Sequence, residues 1–228
     1  MKTSTSIETA AMPTPSPAPD TCVMYLLRHG ATANNLARPP RIQGRGHNPE
    51  LSPAGRLQAQ AAATALSDRK IAAVYSSPLT RAIETADYTA KTHALKVQIA
   101  EAVIEVDVGR WEGRHWDDIS QIDPEAYRRF IDDPAAYGYA GGENLGQVAQ
   151  RVCPAIESLM DQHLGQAIVI VAHNVVNRVY LSGLLGIPVR NARSITQDNC
   201  GINIVRHQTD KNRIITLNSV LHLTATDV

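Results

Sequence analysis

The apolar run from Ala167 to Ala172 constrains the fold of this chain more than any other stretch of the sequence. All six residues are apolar and most are β-branched, a pattern typical of a strand that is buried on both faces of a parallel sheet. The run ends at His173-Asn174, and residues 175–185 then have the pattern of a helix. A buried strand followed by a helix predicts an α/β fold.

The same succession of strand and helix is predicted near the start of the chain. An apolar run over 23–27 ends abruptly at Arg28-His29-Gly30 and passes into a polar loop. Further along, Ser52-Pro53 has the residue types of a helix N-cap and first helical position, which predicts a helix over 53–66.

A third strand and helix are predicted in the middle of the chain. The run over 71–75 leads through Ser76-Ser77-Pro78 into a helix with Arg81 in its first turn. The other predicted elements are a strand over 96–99, an irregular acidic segment over 101–113, short helices over 114–140 that would form a lid, an amphipathic helix over 143–163, and closing strands over 201–205 and 214–218 around a polar turn, 207–213. Alternating strands and helices predict an α/β sandwich with a largely parallel sheet.

Length and composition limit the organisation of the chain. With 228 residues and 43% hydrophobic content, we expect one globular domain over 21–228. Residues 1–20 are rich in Ser, Thr, Pro and Ala, which predicts a disordered tail. The cysteines at 22, 153 and 200 are widely spaced and odd in number, which favours buried thiols over disulfides or a zinc site.

Net charge and hydropathy indicate which binding partners and which cellular location to expect. The formal net charge is +0, so no global field attracts nucleic acid or an anionic membrane. The sequence contains no apolar core of a signal peptide and no apolar run of the roughly 18 residues that a membrane helix needs. A cytoplasmic protein is therefore expected. The sequence leaves the oligomeric state open.

Basic side chains follow three of the predicted parallel strands. Arg28-His29 ends the first, Arg81 follows the second, and His173 ends the third. Ligand sites in open parallel sheets form beyond the carboxyl ends of the strands, so these groups are expected to meet at one edge of the sheet. Two arginines there, together with helix N-termini, would bind a dianion. The predicted ligand is a phosphoryl group.

A histidine beside a phosphoryl group can act as a nucleophile or as a hydrogen-bond donor. His29 is the better candidate for the nucleophile because it lies next to Arg28 and a permissive glycine, and His173 would then give electrostatic support. A leaving alkoxide also needs a proton donor. Glu105 in the acidic segment could supply it if burial raises its pKa, and its rivals are Glu101 and Asp107.

Five motifs in order resemble the histidine phosphatase superfamily, in its phosphoglycerate-mutase-like branch. The most specific is the Arg-His-Gly-x-Thr-x-x-Asn signature at 28–35. The others are Ser-Ser-Pro-Leu-Thr-Arg-Ala at 76–82, the segment 105–113 with Trp-Glu-Gly at its end, Gly-Gly-Glu-Asn at 141–144 and Val-Ala-His-Asn at 171–174. The resemblance extends over about 22–220. It implies a three-layer αβα sandwich with a mostly parallel central sheet, phosphoglycerate-mutase-like in its fold.

The resemblance also implies roles for individual residues. It implies a phosphohistidine at one histidine, a phosphate clamp, and a carboxyl group that acts as acid and then as base, without a metal or an organic cofactor. The residues concerned are His29 as the nucleophile, Arg28, Arg81 and His173 as the clamp, Glu105 as the acid and base, and Asn35, Gln43, Gly44 and Asn174 as contacts to phosphate or substrate.

Two departures from the family pattern affect the rim of the pocket. Asn174 stands where relatives usually have glycine, and His47-Asn48 occupies a loop where aspartate is common. The stretch 114–140 is shorter than the corresponding insertion of the mutases. The compact form favours a phosphatase that acts on a small phosphorylated metabolite over a cofactor-dependent phosphoglycerate mutase.

Other functions compete with this prediction. A metallohydrolase would use His29, His173 and Glu105 as ligands, although two arginines at the same point would repel a cation. A non-catalytic protein that binds phosphorylated ligands is the remaining class. Arg178, on the helix after His173, could reach the pocket but is expected to make a structural ion pair. Trp111 and Trp116 are expected to be packing residues and not platforms for the substrate.

Overall fold

The computed structural model describes residues 16–209 and 211–223. The strands are β1 (Cys22–Arg28), β2 (Ile71–Ser76), β3 (Val97–Ile99), β4 (Ala167–Ala172), β5 (Ile202–Gln208) and β6 (Lys211–Ser219). The α-helices are α1 (Ala33–Leu36), α2 (Pro53–Ala65), α3 (Thr80–Thr92), α4 (Trp116–Ile122), α5 (Pro124–Asp132), α6 (Leu145–Asp161) and α7 (Asn174–Leu184). Short 3₁₀ helices cover Glu101–Val103, Gly109–Trp111 and Val189–Ser194.

The strands form one sheet in the order β3-β2-β4-β1-β5-β6. The first four strands of this order are parallel, and β5 and β6 are antiparallel to their neighbours. Strand β4 lies between β2 and β1, and every one of its residues is buried. This position explains its apolar sequence, because both faces of a central parallel strand are covered.

The two faces of the sheet pack against different helices. Along β1, Met24 and Leu26 point into a core with α6 and α7, while Tyr25 and Leu27 point into a core with α2 and α3. This alternation follows from the period of two in a strand. The α/β three-layer αβα sandwich with a mostly parallel sheet, predicted from the sequence, is confirmed.

Local signals fix the starts of two helices. The Ser52 hydroxyl accepts a hydrogen bond from the Gly55 N–H at 3.0 Å, with proline at the first helical position of α2. At α6, Asn144 accepts from the Gln147 N–H at 2.7 Å, and the Gln147 side chain accepts from the Asn144 N–H at 2.9 Å. This reciprocal capping places the start of α6 at Leu145, two residues later than predicted.

Several predicted boundaries were wrong. The loop after β1 contains the four-residue helix α1, which is too short to produce a periodic pattern. The predicted turn over 207–213 is narrower, because β5 continues to Gln208 and β6 begins at Lys211. The strand ends at Gln208 and Lys211 are exposed and polar, so their residue types resemble those of a turn. The predicted lid region forms the two short helices α4 and α5.

The predicted disordered tail falls largely outside the described residues, which begin at Ser16. The last residues of that stretch form a turn in which Thr21 N–H donates to the Ala18 carbonyl at 2.9 Å. Asp20 accepts a hydrogen bond from the Gln208 side chain at 3.1 Å. The single domain over 21–228 stays a prediction.

Strands β1 and β4 form the switch point of the sheet. The chain leaves β1 toward α2 on one face and leaves β4 toward α7 on the other. The two strands are in register, with Arg28 opposite Ala172. The residues that follow them, His29 and His173, therefore lie side by side at the edge where open α/β sheets bind ligands.

Candidate active site

His29 is held at the end of β1 as a neutral imidazole. It is 2% exposed, and its Nδ1 lies 2.7 Å from the Gly30 carbonyl oxygen. Because a carbonyl only accepts, Nδ1 carries the proton and Nε2 keeps a free lone pair. Burial, followed by the charges of Arg81 and Arg28, lowers the pKa of His29 well below its usual value. The ring therefore carries no charge at neutral pH.

The backbone after His29 is locked against the start of α2. A Cβ on Gly30 would lie 2.4 Å from the Gly55 carbonyl oxygen, and a Cβ on Gly55 would lie 2.0 Å from the Ala31 carbonyl oxygen. Both positions need glycine because the two backbones touch. The Ser52 hydroxyl also donates to the Ala31 carbonyl at 2.8 Å. The helix start and the site loop thus form one rigid unit.

Two arginines flank the histidines. Arg28 Nη1 donates to the Gln197 carbonyl at 2.7 Å. Arg81 is fully buried, and its Nη2 and Nη1 donate to the carbonyls of Gly44 at 2.9 Å and His47 at 3.2 Å. Burial lowers the pKa of each arginine to about 10, so both stay charged at neutral pH. The buried Nε atoms of Arg28 and Arg81 have no hydrogen-bond partner in the described part of the chain.

His173 lies beside His29 and is oriented by Ser77, a residue of the motif at 76–82 to which the sequence assigned no role. The ring centroids are 5.2 Å apart. His173 Nε2 lies 2.7 Å from the Ser77 hydroxyl, which also accepts from the Leu79 N–H at 3.3 Å. Among the described residues, Nε2 is the only acceptor that the Ser77 hydroxyl proton reaches, and donation to Nε2 leaves the proton of His173 on Nδ1. That buried Nδ1 has no partner within the described residues.

Glu105 is 3% exposed and is held by backbone donors. Oε1 accepts from the Val106 N–H at 2.9 Å, and Oε2 accepts from the Val175 N–H at 3.3 Å in the first turn of α7. Burial raises the pKa of Glu105, and its hydrogen bonds and the nearby Arg81 and Arg28 only partly offset this effect. The pKa of the Glu105 carboxyl group therefore lies above that of a free glutamate.

The loop that carries Glu105 is fixed by a second residue without a sequence signal. Arg151 on α6 donates to the carbonyls of Ala102 at 2.6 Å and Ile104 at 2.8 Å. It also forms an ion pair with Glu143 at 2.8 Å. Arg151 thus links Glu143 of the Gly-Gly-Glu motif to the loop that carries Glu105.

The candidate substrate contacts occupy different places around one cleft. The cleft has a volume of about 340 Å³ and is lined by His29, Glu105, Asn35, Gln43 and Asn174, among others. Gly44, Arg81 and His173 are not among its lining residues. The Gly44 N–H donates to the Glu112 carboxylate at 2.8 Å, and the Gly44 carbonyl accepts from Arg81 at 2.9 Å. Gly44 therefore supports the position of Arg81.

Asn35 and Gln43 are joined through Thr32. The Asn35 Oδ1 accepts from the Thr32 N–H at 3.0 Å, and the Thr32 hydroxyl donates to Gln43 Oε1 at 2.7 Å. The amide NH₂ groups, Nδ2 of Asn35 and Nε2 of Gln43, remain available to other acceptors. The structure thus brings His29, Arg28, Arg81, His173 and Glu105 together, with Asn35 and Gln43 at the rim.

Within residues 16–209 and 211–223, no group of three or more His, Cys, Asp or Glu side chains has the arrangement of a metal site. Over the same ranges, no helix has both the length and the apolar character needed to cross a membrane.

Comparison with known proteins gives consistent results. The family model described as the histidine phosphatase superfamily (branch 1) matches residues 24–220. Phosphoserine phosphatase 1 of Hydrogenobacter thermophilus is 33% identical over 88% of this chain and 93% of the relative. A probable phosphoglycerate mutase of Shigella boydii is 30% identical over 81% of this chain and 85% of the relative.

Among solved structures, Bacillus stearothermophilus YhfR has a TM-score of 0.80 and is 30% identical, over 88% of this chain and 98% of that one. The resemblance drawn from the motifs, the phosphoglycerate-mutase-like fold and the prediction of a phosphatase enzyme are thereby confirmed. The chain belongs to the histidine phosphatase superfamily, in branch 1.

Proposed function

We propose that this protein hydrolyses phosphomonoesters of small metabolites through a phosphohistidine on His29, without a metal. The observation that carries the proposal is the hydrogen bond between His29 Nδ1 and the Gly30 carbonyl at 2.7 Å. It leaves Nε2 of a neutral imidazole as a nucleophile between two cationic side chains. Membership of a phosphatase superfamily supports the same chemistry.

The phosphoryl group would be bound by three buried donors that otherwise lack a partner among the described residues: Arg28 Nε, Arg81 Nε and His173 Nδ1. Two guanidinium groups balance a dianion, and their hydrogen bonds are charge-assisted. Donors fixed in advance stabilise the charge that builds on the equatorial oxygens in the transition state.

The reaction then has two balanced steps. In the first, His29 Nε2 attacks phosphorus, the bond from phosphorus to the ester oxygen breaks, and that oxygen takes the proton of Glu105. In the second, the Glu105 carboxylate takes a proton from water, whose oxygen attacks phosphorus and releases inorganic phosphate from His29. The raised pKa of Glu105 supports the first step, because a carboxyl group must be protonated to act as an acid.

The test is hydrolysis of a panel of sugar phosphates, phosphoglycerates, nucleotides and phosphopeptides in the presence of a chelator. His29→Ala is the blank, and His93→Ala, which changes a half-buried histidine at the C-terminal end of α3, is the control. We expect release of phosphate by the wild type and the control only. Equal release by His29→Ala, or loss of release with chelator, would contradict the proposal.

A phosphoglycerate mutase is the second candidate, because a probable mutase is among the relatives. It would use the same site and differ in passing the phosphoryl group to a second hydroxyl instead of water. Interconversion of 2- and 3-phosphoglycerate with a bisphosphate primer decides between them: a rate above that of phosphate release would favour the mutase.

A further inference from the structure

A second, smaller cavity opens from the catalytic cleft. Its volume is about 100 Å³, and it shares Trp116, Tyr139, Asn174 and Val175 with the cleft. Its remaining wall includes two arginines, Arg178 of α7 and Arg193 of the 3₁₀ helix Val189–Ser194. The phosphoryl chemistry proposed above uses neither arginine.

Arg178 is placed at this cavity by its own hydrogen bond. The residue is half-buried, one helical turn after Asn174, and its Nε donates to the Ile195 carbonyl at 2.7 Å. The ion pair expected from the sequence is absent: no carboxylate of the described residues lies within 4.0 Å of its guanidinium. A backbone carbonyl, not a charge, therefore fixes the arginine.

Arg193 approaches the same cavity from the exposed side. Its guanidinium carbon lies 4.9 Å from the Trp116 ring centroid, in a cation–π contact. It too lacks a carboxylate within 4.0 Å among the residues that the structure describes. Trp116, expected to be a packing residue, thus also positions a cation at the cavity.

The charges around the cavity are unbalanced. Burial and the charge of Arg193 lower the pKa of Arg178. Tyr139, Glu105 and Asp198 act in the opposite direction, and their effects are smaller. The buried Oδ1 of Asn174, which lines both cavities, has no hydrogen-bond partner among the described residues. A small anionic group with a hydrogen-bond donor beside it fits these walls, because the Asn174 oxygen can only accept.

We propose that Arg178 and Arg193 bind a carboxylate of the substrate, so that the enzyme prefers phosphomonoesters that carry a carboxylate near the phosphoryl group. The planar fork of arginine matches a carboxylate in two hydrogen bonds. The small volume suits a carboxylate better than a sugar or a base. This inference rests on the proposed function, because the phosphoryl group is taken to lie at Arg28 and Arg81.

The test uses two pairs of substrates that differ in one carboxylate: 3-phosphoglycerate with glycerol 3-phosphate, and O-phosphoserine with phosphoethanolamine. We expect the wild type to favour the carboxylate in at least one pair by about tenfold or more in kcat/KM, which is the effect of a charged hydrogen bond. Arg178→Gln and Arg193→Gln should each reduce that ratio by about tenfold, mainly through KM.

Arg190→Gln is the matched control, because Arg190 is exposed on the same 3₁₀ helix and lines neither cavity. It should keep the wild-type ratio. Arg193 is also exposed, so its variant keeps the test valid if Arg178→Gln fails to fold. Equal kcat/KM within both pairs, or an unchanged ratio in both variants, would overturn the inference. Hydrolysis of 4-nitrophenyl phosphate by the wild type in that case would leave the proposed function standing.

Discussion

Replacement of Ser77 by alanine tests how His173 is prepared for its role. The hydroxyl lies 2.7 Å from His173 Nε2 and directs the histidine proton to Nδ1. Without it, the imidazole can take the other tautomer, and Nδ1 then presents a lone pair to an anionic phosphoryl group. Loss of one hydrogen bond to a charged group amounts to about 1.5–3 kcal/mol, or a fall in kcat of about 10- to 150-fold.

The assay is steady-state hydrolysis of 4-nitrophenyl phosphate, with unfolding followed by circular dichroism. Ser76→Ala is the matched control, because Ser76 is equally buried but its hydroxyl donates to the Ser77 carbonyl at 2.8 Å. Ser77→Thr keeps a hydroxyl and should recover activity. ¹⁵N spectra of the imidazole should show the tautomer change in Ser77→Ala alone. A folded Ser77→Ala variant with kcat within twofold of wild type would refute the reasoning.

Four further outcomes are expected. Glu105→Gln should slow the hydrolysis of alkyl phosphates by about 10²–10⁴-fold. It should slow the hydrolysis of 4-nitrophenyl phosphate far less, because a nitrophenolate leaves without a proton. In the wild type, kcat/KM for an alkyl phosphate should fall as pH rises through the raised pKa of Glu105. The pH profile of Glu105→Gln should lack this fall. Arg151→Leu should lower the free energy of unfolding by about 2–3 kcal/mol, whereas Arg129→Ala at an exposed pair should change it by less than about 0.5 kcal/mol in urea titrations. Gly55→Ala should lower it by about 3 kcal/mol, since its Cβ would meet the Ala31 carbonyl at 2.0 Å.

The sequence predicted those parts of the fold that have local causes. The apolar run of β4 follows from burial on both faces, and the start of α2 follows from Ser52 and Pro53. The convergence of His29 and His173 could also be predicted, because parallel strands share an edge. Helix α1 and the extent of the β5–β6 hairpin could not be predicted, since four residues give no period and the exposed ends of these strands are as polar as a turn.

The residues that support the site were harder to predict. Ser77 meets His173 across 96 positions of sequence, and Arg151 reaches carbonyl groups that any residue could provide. Gly44 was expected at the substrate, yet its carbonyl accepts from Arg81. Arg178 was expected in an ion pair, yet it donates to a backbone carbonyl. Contacts to backbone carbonyls, such as those of Arg151 and Arg178, leave no trace in residue type or spacing.

The central claim is a covalent phosphohistidine on His29, and rapid chemical quench tests it most directly. Enzyme mixed with a ³²P-labelled phosphomonoester should carry protein-bound phosphate that is labile in acid and stable in base, and this label should decay at the rate of phosphate release. Peptide mapping should place it on His29, and His29→Ala should carry none. Label on His29→Ala, or multiple-turnover hydrolysis without any protein-bound label at millisecond quench times, would contradict the account.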